Sequence, residues 1–442
     1  MKPSQLITFA TVASLAAAQT CTVLSYSLAA PLMATGYRSQ LVATGLRTPR
    51  AIVFDSSGSL LVAERGVGIT RFQVGSCGTL QNRQVIISDT TLNHAVTLSA
   101  DGRTLFSSSS STAFSWSYDP ATGATSNKKT LITGMANSGG GHSTRTLYAS
   151  ISNPDLLLVS WGSDGNLDWG AANINSGRSQ IRGFSISQVS NSPVAFNTAG
   201  TIFGWGLRNS VGIGEDAGGG IWSVENSADN IVRNGQDVHN DNPAEELNYH
   251  YLSTNTTQRG NYGYPECLTA WQVSTLPSNG NLVVGRQFSN LTGGVTDAQC
   301  LQRQAPRISF PSHTAPLDVK FDSAGNAWVS FHGSWNRSPP DGYRVAIVPF
   351  GANNQPVAPP DSTSGYTNIM QNPDNSRCPN NCFRPSCDEH DVEDYHYYHY
   401  YHYYHYYDND NNDYDYDVED DYSDDVEDYN YYDYHDVPVD DA

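Results

Sequence analysis

Along the first 330 or so residues of the chain, apolar positions come in short runs that are cut by Asp/Gly turns. The clearest unit is Pro49 to Ala63: Ala51-Ile52-Val53-Phe54, then Asp55-Ser56-Ser57-Gly58, then Leu60-Leu61-Val62-Ala63. Ala315 to Ser330 repeats it around Asp322-Ser323-Ala324-Gly325. Weaker copies are centred on Asp101-Gly102, Asp155 and Asp216. An apolar strand, a turn built from Asp and Gly, and a second apolar strand predict a β-hairpin. The early copies lie roughly 50 residues apart, the period of propeller blades with four strands each. Blade openings are expected near Arg50, His94, His142, Arg208 and His313, with an insertion from about Gln236 to Arg303. A sixth opening is announced by Cys382-Phe383-Arg384-Pro385, and no apolar hairpin follows it. The pattern therefore predicts an all-β, six-bladed propeller whose sixth blade is truncated. Its two end blades would then expose edges and apolar faces.

Composition divides the chain into three parts. Residues 1–18 read as a signal peptide, with Lys2, an apolar stretch from Leu6, and Ala16-Ala17-Ala18 before Gln19. Residues 19–387 form the propeller. Residues 388–442 hold 17 Asp, 4 Glu, 16 Tyr and 6 His with no Lys or Arg, and so carry essentially all of the formal net charge of −20. Such a segment cannot bury a core and is expected to be a disordered tail. Tyr, His, Asn and Asp all use codons of the form N-A-pyrimidine. Read one base later, those ending in C become threonine codons, so a displaced reading frame beginning near Arg384–Asp388 is expected. A His/Asp metal-binding tail is the alternative. The body is nearly neutral and its Lys and Arg form no runs, which argues against nucleic acid as a partner. No stretch is long and apolar enough to predict a membrane span.

Seven cysteines and the sequons at Asn255 and Asn290 fit a secreted, oxidised, glycosylated protein, while a third sequon at Asn336 is followed by Pro339, which disfavours its use. Local pairing would join Cys21 to Cys77, Cys267 to Cys300 and Cys378 to Cys382, one of the 15 connectivities open to six cysteines. That pairing leaves Cys387 odd. Zinc is disfavoured, because the last cysteines lack a matching second cluster.

Polar clusters fall at the blade openings: Gly140-Gly141-His142-Ser143-Thr144-Arg145, Gly204-Trp205-Gly206-Leu207-Arg208-Asn209-Ser210, His239-Asn240-Asp241-Asn242-Pro243, and His332-Gly333-Ser334-Trp335-Asn336-Arg337. Arg, His and Asn recurring at equivalent loops suggest an anionic ligand near the axis, held by guanidinium forks. Tyr262, Tyr264, Trp161 and Trp335 are candidates to stack on a ring of a ligand, although loop aromatics more often pack in the core.

These motifs, with Asn-Pro-Ala-Glu-Glu-Leu-Asn at 242–248, resemble the fungal pyranose dehydrogenases that depend on pyrroloquinoline quinone (PQQ), relatives of sorbosone dehydrogenase and more distantly of soluble quinoprotein glucose dehydrogenase. The resemblance covers about residues 20–385. It implies PQQ over the axis of a six-bladed propeller with Ca²⁺ beside it. It also implies oxidation of a pyranose and an external electron acceptor, such as a cytochrome or a copper polysaccharide oxygenase. By the same resemblance His142 is the catalytic base. Arg65, Arg208, Asn209, His332, Trp335, Asn336, Arg337 and Arg384 line the cofactor pocket, and Asn240 and Asp241 supply calcium ligands through backbone carbonyls. Two other readings compete. A calcium-dependent propeller lactonase would want Asn, Asp and Glu side chains converging on an axial ion, and a non-catalytic secreted propeller would be one disabled by its missing blade.

Overall fold

The computed structural model describes residue 21 and residues 24–386, apart from 139–140, 252–259 and 292–293. The leader, the acidic tail and Cys387 lie outside the described residues, as does the Asn255 sequon.

Five antiparallel blades follow one another along the described chain. Blade I is Pro49–Phe54, Ser59–Glu64, Gly68–Val74 and Leu80–Ser88. Blade II is Leu92–Leu98, Thr104–Ser109, Ala113–Asp119 and Ala124–Thr133, with the short strand Val194–Ala195 parallel on its outer edge. Blade III is Leu147–Ala149, Leu156–Trp161, Gln180–Ser185 and Thr201–Trp205. Blade IV is Asn209–Glu215, Ile221–Asn226, Glu245–His250 and Ile308–Phe310. Blade V is Pro316–Phe321, Ala327–Phe331, Arg344–Val348 and Thr367–Gln371. Leu32–Met33 pairs with the last strand of blade V, so the start of the chain reaches blade V before it enters blade I.

The repeated turns work as the sequence suggests. The Asp55 carboxylate accepts the amides of Ser57 and Ser59, both at 2.9 Å, and Asp216 does the same for Gly218 and Gly220. Its other oxygen takes a buried donor from a strand: Tyr118 for Asp55, the Trp222 indole for Asp216 and the Trp328 indole for Asp322. Gly58, Gly219 and Gly325 close these turns at φ of 74°, 80° and 84°, a region costly for other residues. In blades II and III the register differs from the sequence reading. Ser99 and Ser150, not Asp101 and Asp155, occupy the place of Asp55. Asp155 instead accepts from Ser185 and the Ser187 amide, at the start of the short helix Ile186–Asn191. An aspartate a few positions from a turn imitates the motif without filling its place.

Each sheet has two apolar faces, and clusters fill the gaps between successive blades. Leu61, Ala63 and Ile69 meet Val96, Leu105 and Trp116 between I and II. Val224 and Trp222 meet Val319, Val329 and Phe331 between IV and V. The two end faces were expected to be bare and are not. On blade I, Ile52, Leu60, Val62 and Phe72 are covered by Val42 and Leu46. On blade V, Trp328, Val345 and Met370 are covered by Met33, Ala34, Tyr37 and Phe383. Val42, Trp328 and Phe383 are each about 1% exposed, so the segment before blade I and the Phe383 side chain seal both faces.

The late insertion is two excursions from blade IV rather than one. The first carries the hairpin of Val232–Arg233 and Gln236–Asp237. The second carries Cys267–Thr269 paired with Gln287–Ser289. They share a small core of Ile231, Val238, Tyr264, Leu268 and Phe288. Disulfides join Cys21 to Cys77, Cys267 to Cys300 and Cys378 to Cys382, the local pairing. Asn290 is buried and donates its amide to the Pro265 carbonyl, so that sequon presents no accessible amide.

If the segment before blade I seals its face, Val42→Asp lowers the unfolding free energy by about 3 kcal/mol or more, because a carboxylate is buried without a partner. The exposed neighbour substitution Thr44→Asp leaves it within about 0.5 kcal/mol. Urea titrations of the two variants check this, and equal midpoints would show the face to be uncovered.

Candidate functional site

In an antiparallel sheet the start of the first strand and the end of the second lie at the same end. The loops opening each blade and those following each second strand therefore gather at one end of the ring. The inner strands below enclose an axial cavity of about 440 Å³, lined by Ile52, His94, Thr146, Val211 and Leu317 among others. All but three of the expected site residues sit on these end loops. Asn240 and Asp241 come from the first excursion of blade IV, and Arg384 from the segment after blade V.

His142 precedes blade III and is fixed on every side. Its amide donates to the Ser163 carbonyl at 3.0 Å. Its own carbonyl accepts from Asn137 at 2.8 Å and from the Arg145 guanidinium at 2.7 Å. Arg145 is itself fully buried, with Nη1 also on the Thr144 carbonyl and Nε and Nη2 both on that of Met135. Nδ1 of His142 faces Ser163 twice, at the carbonyl (3.2 Å) and at Oγ (3.0 Å). Ser163 Oγ spends its own proton on the Gly165 carbonyl at 2.7 Å, so both groups facing Nδ1 are acceptors. The proton is thereby assigned to Nδ1, and Nε2 carries the lone pair. Burial, together with the nearby Arg208 charge, lowers the imidazole pKa to about 3, so the ring is neutral at pH 7.

Ser163 also joins this loop to the next blade, because its amide donates to the Arg208 carbonyl at 2.8 Å. Gly162 permits the approach. A Cβ there would lie 2.7 Å from Asn209 Oδ1 and 2.9 Å from His142 Cβ. Asn209 is set by Glu225, whose carboxylate takes the Asn209 amide at 2.7 Å and the Ser210 hydroxyl at 2.5 Å. Burial pushes the Glu225 carboxyl up to about 8.

Asp229, on the loop after the second strand of blade IV, is the hub that the sequence reading missed. Its carboxylate meets Arg208 at 2.8 Å, His313 Nδ1 at 3.1 Å and Asn336 Nδ2 at 2.8 Å. Burial would raise this carboxyl, but Arg208, His313 and Asn336 outweigh it and hold it below the usual range. Asn166 adds bonds to Arg208 at 3.2 and 3.1 Å and exchanges two with the Asp229 backbone. His313 Nε2 reaches the His239 carbonyl at 2.5 Å. Asn240 clamps the loop of blade V, its amide bonding the Ser338 carbonyl at 2.7 Å and the Ser338 amide at 2.8 Å. Its side chain is therefore committed, and only its carbonyl is left to hold an ion. The Asp241 carbonyl accepts the Gln272 amide at 3.3 Å.

The remaining residues lie around this group. Arg337 donates to the Ser312 carbonyl at 3.1 Å. His332 is buried with Nδ1 on the Pro385 carbonyl at 3.0 Å, and Arg384 donates to the His332 and Gly333 carbonyls. Arg65 stands on the corresponding turn of blade I, its amide bonded to Thr48. Of the four aromatics proposed to stack on a sugar, Trp161, Tyr262 and Tyr264 are core residues. Trp161 donates to Asn137, and Tyr264 bridges the insertion to the Asn166 carbonyl. Trp335 is exposed.

A protein-family model described as TrAA12-like matches residues 31–398. A PQQ-dependent sugar dehydrogenase of Hypocrea jecorina is 44% identical over 83% of this chain and 87% of its own length. A PQQ-dependent pyranose dehydrogenase of Coprinopsis cinerea is 40% identical over 80% of this chain, which spans about half (51%) of that relative. Among solved structures, a calcium structure of the Trichoderma reesei AA12 enzyme superposes with a TM-score of 0.80, covering 84% of this chain and 94% of that one, at 44% identity. The holo PQQ domain of the Coprinopsis cinerea enzyme gives 0.76 at 40% identity, covering 81% and 91%. With a matching model across most of its length and relatives this similar, the chain belongs to the TrAA12-like family of fungal sugar dehydrogenases.

Proposed function

We propose that this chain is a secreted oxidoreductase that uses PQQ and calcium to oxidise pyranose sugars and passes the electrons to an external acceptor. The observation that carries the reading is His142: a neutral imidazole, held by Ser163 in the tautomer that leaves Nε2 as a base, tied through Ser163 to Arg208. The residues around it suit a flat polycarboxylate. Arg337 Nε, Asn336 Oδ1, Ser143 Oγ and Ser312 Oγ are buried at this end without partners among the described residues, and buried polar atoms of that kind call for a ligand. Arg337 offers a guanidinium fork to a carboxylate, and Arg208, its Nε and Nη2 held by Asn166 and Asp229, adds positive charge beside it. The loops that open the blades offer Arg and His rather than a set of Asn, Asp and Glu side chains for an axial ion, which disfavours the lactonase reading. Calcium would rest instead on carbonyl oxygens such as those of Asn240 and Asp241.

PQQ, when bound, supplies an ortho-quinone that accepts the hydride of the sugar. His142 Nε2 takes the proton of the anomeric hydroxyl, and Ser163 keeps the ring in the accepting orientation. Asp229 holds Arg208 and Asn336 against the cofactor, and Trp335 offers an exposed ring face to the sugar. We also place a sixth unit in the ring between blades V and I. Support comes from the apolar end faces and from residues 33–46 and Phe383, which already occupy that space. The Ala-rich leader and the disulfides support secretion.

His142→Gln keeps PQQ affinity near that of the wild type and slows reduction of the bound quinone by sugar about 10²–10⁴-fold, the range for a lost general base. Stopped-flow absorbance checks this, and an unchanged rate removes His142 from the chemistry. In the cofactor-free protein the depressed pKa keeps His142 neutral down to about pH 4, and protonation follows only as the pH falls towards about 3. Imidazole ¹⁵N shifts read it directly, and a titration midpoint near the ordinary 6.5 would contradict the burial argument. Exhaustive chelation of calcium abolishes sugar oxidation, and Ca²⁺ added with PQQ restores it. Full activity after complete exchange into chelator would count against calcium.

A further inference from the structure

The axial cavity stands apart from the residues that form the candidate site. The first strand of each of the five blades lines it, and His142, Arg208, Asn209, Asp229 and Asn336 do not. Burial along it runs in one direction. Towards the site end Ile52, Val96, Leu147, Val211 and Leu317 are buried, whereas Ser56, Ala100, Asp101 and Ile151, on the turns at the other end, are exposed. The cavity is thus a largely apolar sleeve, closed beneath the catalytic loops and open at the far end. Two polar groups mark the closed end. His94 is 5% exposed, and its Nε2 faces Thr146 Oγ1 at 3.2 Å. That hydroxyl gives its proton to the Val211 carbonyl, so Nε2 carries the ring proton and Nδ1 the lone pair. Burial, together with the Arg50 charge, lowers the His94 pKa to about 3, so the ring is neutral. Nδ1 has no hydrogen-bond partner among the described residues. Neither has the Ser386 hydroxyl, which lines the cavity next to Pro385, whose carbonyl bonds His332 at the site end.

We propose that this cavity is a binding site for a small monocyclic phenol, entered from the end of the ring opposite the catalytic loops. The proposal stands independently of the quinone-dependent reading. An apolar cavity of about 150 Å³ already takes benzene, and ligand pockets of about 300–1,000 Å³ pair apolar walls with a few polar atoms that fix orientation. At about 440 Å³ the sleeve has room for a substituted ring. A phenol also answers the closed end. Its O–H donates to His94 Nδ1, which can only accept, and its oxygen accepts from Ser386 Oγ. An anion has no proton to give and would face the Nδ1 lone pair. A plain hydrocarbon would leave that buried acceptor unbonded.

Calorimetric titration of the full chain with p-cresol, and with toluene as the same ring lacking the hydroxyl, tests this without any turnover. The wild type binds p-cresol at a single site, about 3- to 10-fold more tightly than toluene, the worth of one hydrogen bond. His94→Phe removes the acceptor and keeps an aromatic ring, and it binds the two ligands alike. Melting curves check that this variant folds, and the comparison of the two ligands on the wild type needs no variant. His142→Gln binds p-cresol as the wild type does, which separates the cavity from the catalytic loops. No binding of p-cresol by the wild type, or equal binding of p-cresol and toluene, overturns the proposal. So does a preference for p-cresol that survives in folded His94→Phe or is lost in His142→Gln.

Discussion

A single buried charge organises the site end of this propeller. Asp229 has little access to water and so must be paired within the protein. Its partners come from three directions: Arg208 at the opening of blade IV, His313 just before blade V and Asn336 on the loop after the second strand of blade V. Through His313 and the His239 carbonyl the network reaches the insertion, and through Asn240 it returns to the blade V loop. Through Arg208 and Ser163 it reaches His142. Removing one partner of such a pair costs about 3–5 kcal/mol, because the other charge is left buried alone. Loops that would otherwise move independently are thereby held as one surface.

The blades beneath serve that surface by being rigid. Their turns reuse one device, an aspartate that satisfies turn amides with one oxygen and a buried strand donor with the other. The apolar faces are filled around the ring, and at its two ends the segment before blade I supplies the missing side chains. The His142 imidazole stays neutral because it is packed among blades of this kind, with Arg208 near and water largely excluded.

Much of the fold was legible because a hairpin states its periodicity locally. Blade openings at Arg50, His94, Arg208 and His313 fall within a few residues of the observed strands. The register failed where Asp101 and Asp155 lay close to turns that Ser99 and Ser150 actually make, since a single-residue signal cannot fix a turn's phase. The covering of the end faces was not legible, because contacts between residues 33–46 and the two end blades are a consequence of closure and leave no local pattern. At the site, His142, Arg208 and Asn209 stood out as motifs. His313 stood out only as a blade opening, and Asp229, Asn166 and Ser163 did not stand out, because each is a lone polar residue in a loop. A correct blade register would have found three of them: Asp229, Ser163 and Asn166 all follow the second strand of their blade, as His332 does. Burial, invisible to composition, moved Trp161, Tyr262 and Tyr264 from the ligand surface to the core.

The central claim is that the Asp229 network presents a preformed PQQ surface. The most direct measurement is the PQQ binding isotherm of Asp229→Asn beside that of the wild type, in Ca²⁺, with melting curves to confirm that both are folded. Loss of a charge partner worth about 2 kcal/mol or more to binding corresponds to an affinity weakened about 30-fold or more. That weakening in a folded variant is the predicted result. PQQ binding equal to the wild type, or a wild type that does not bind PQQ, would contradict the account.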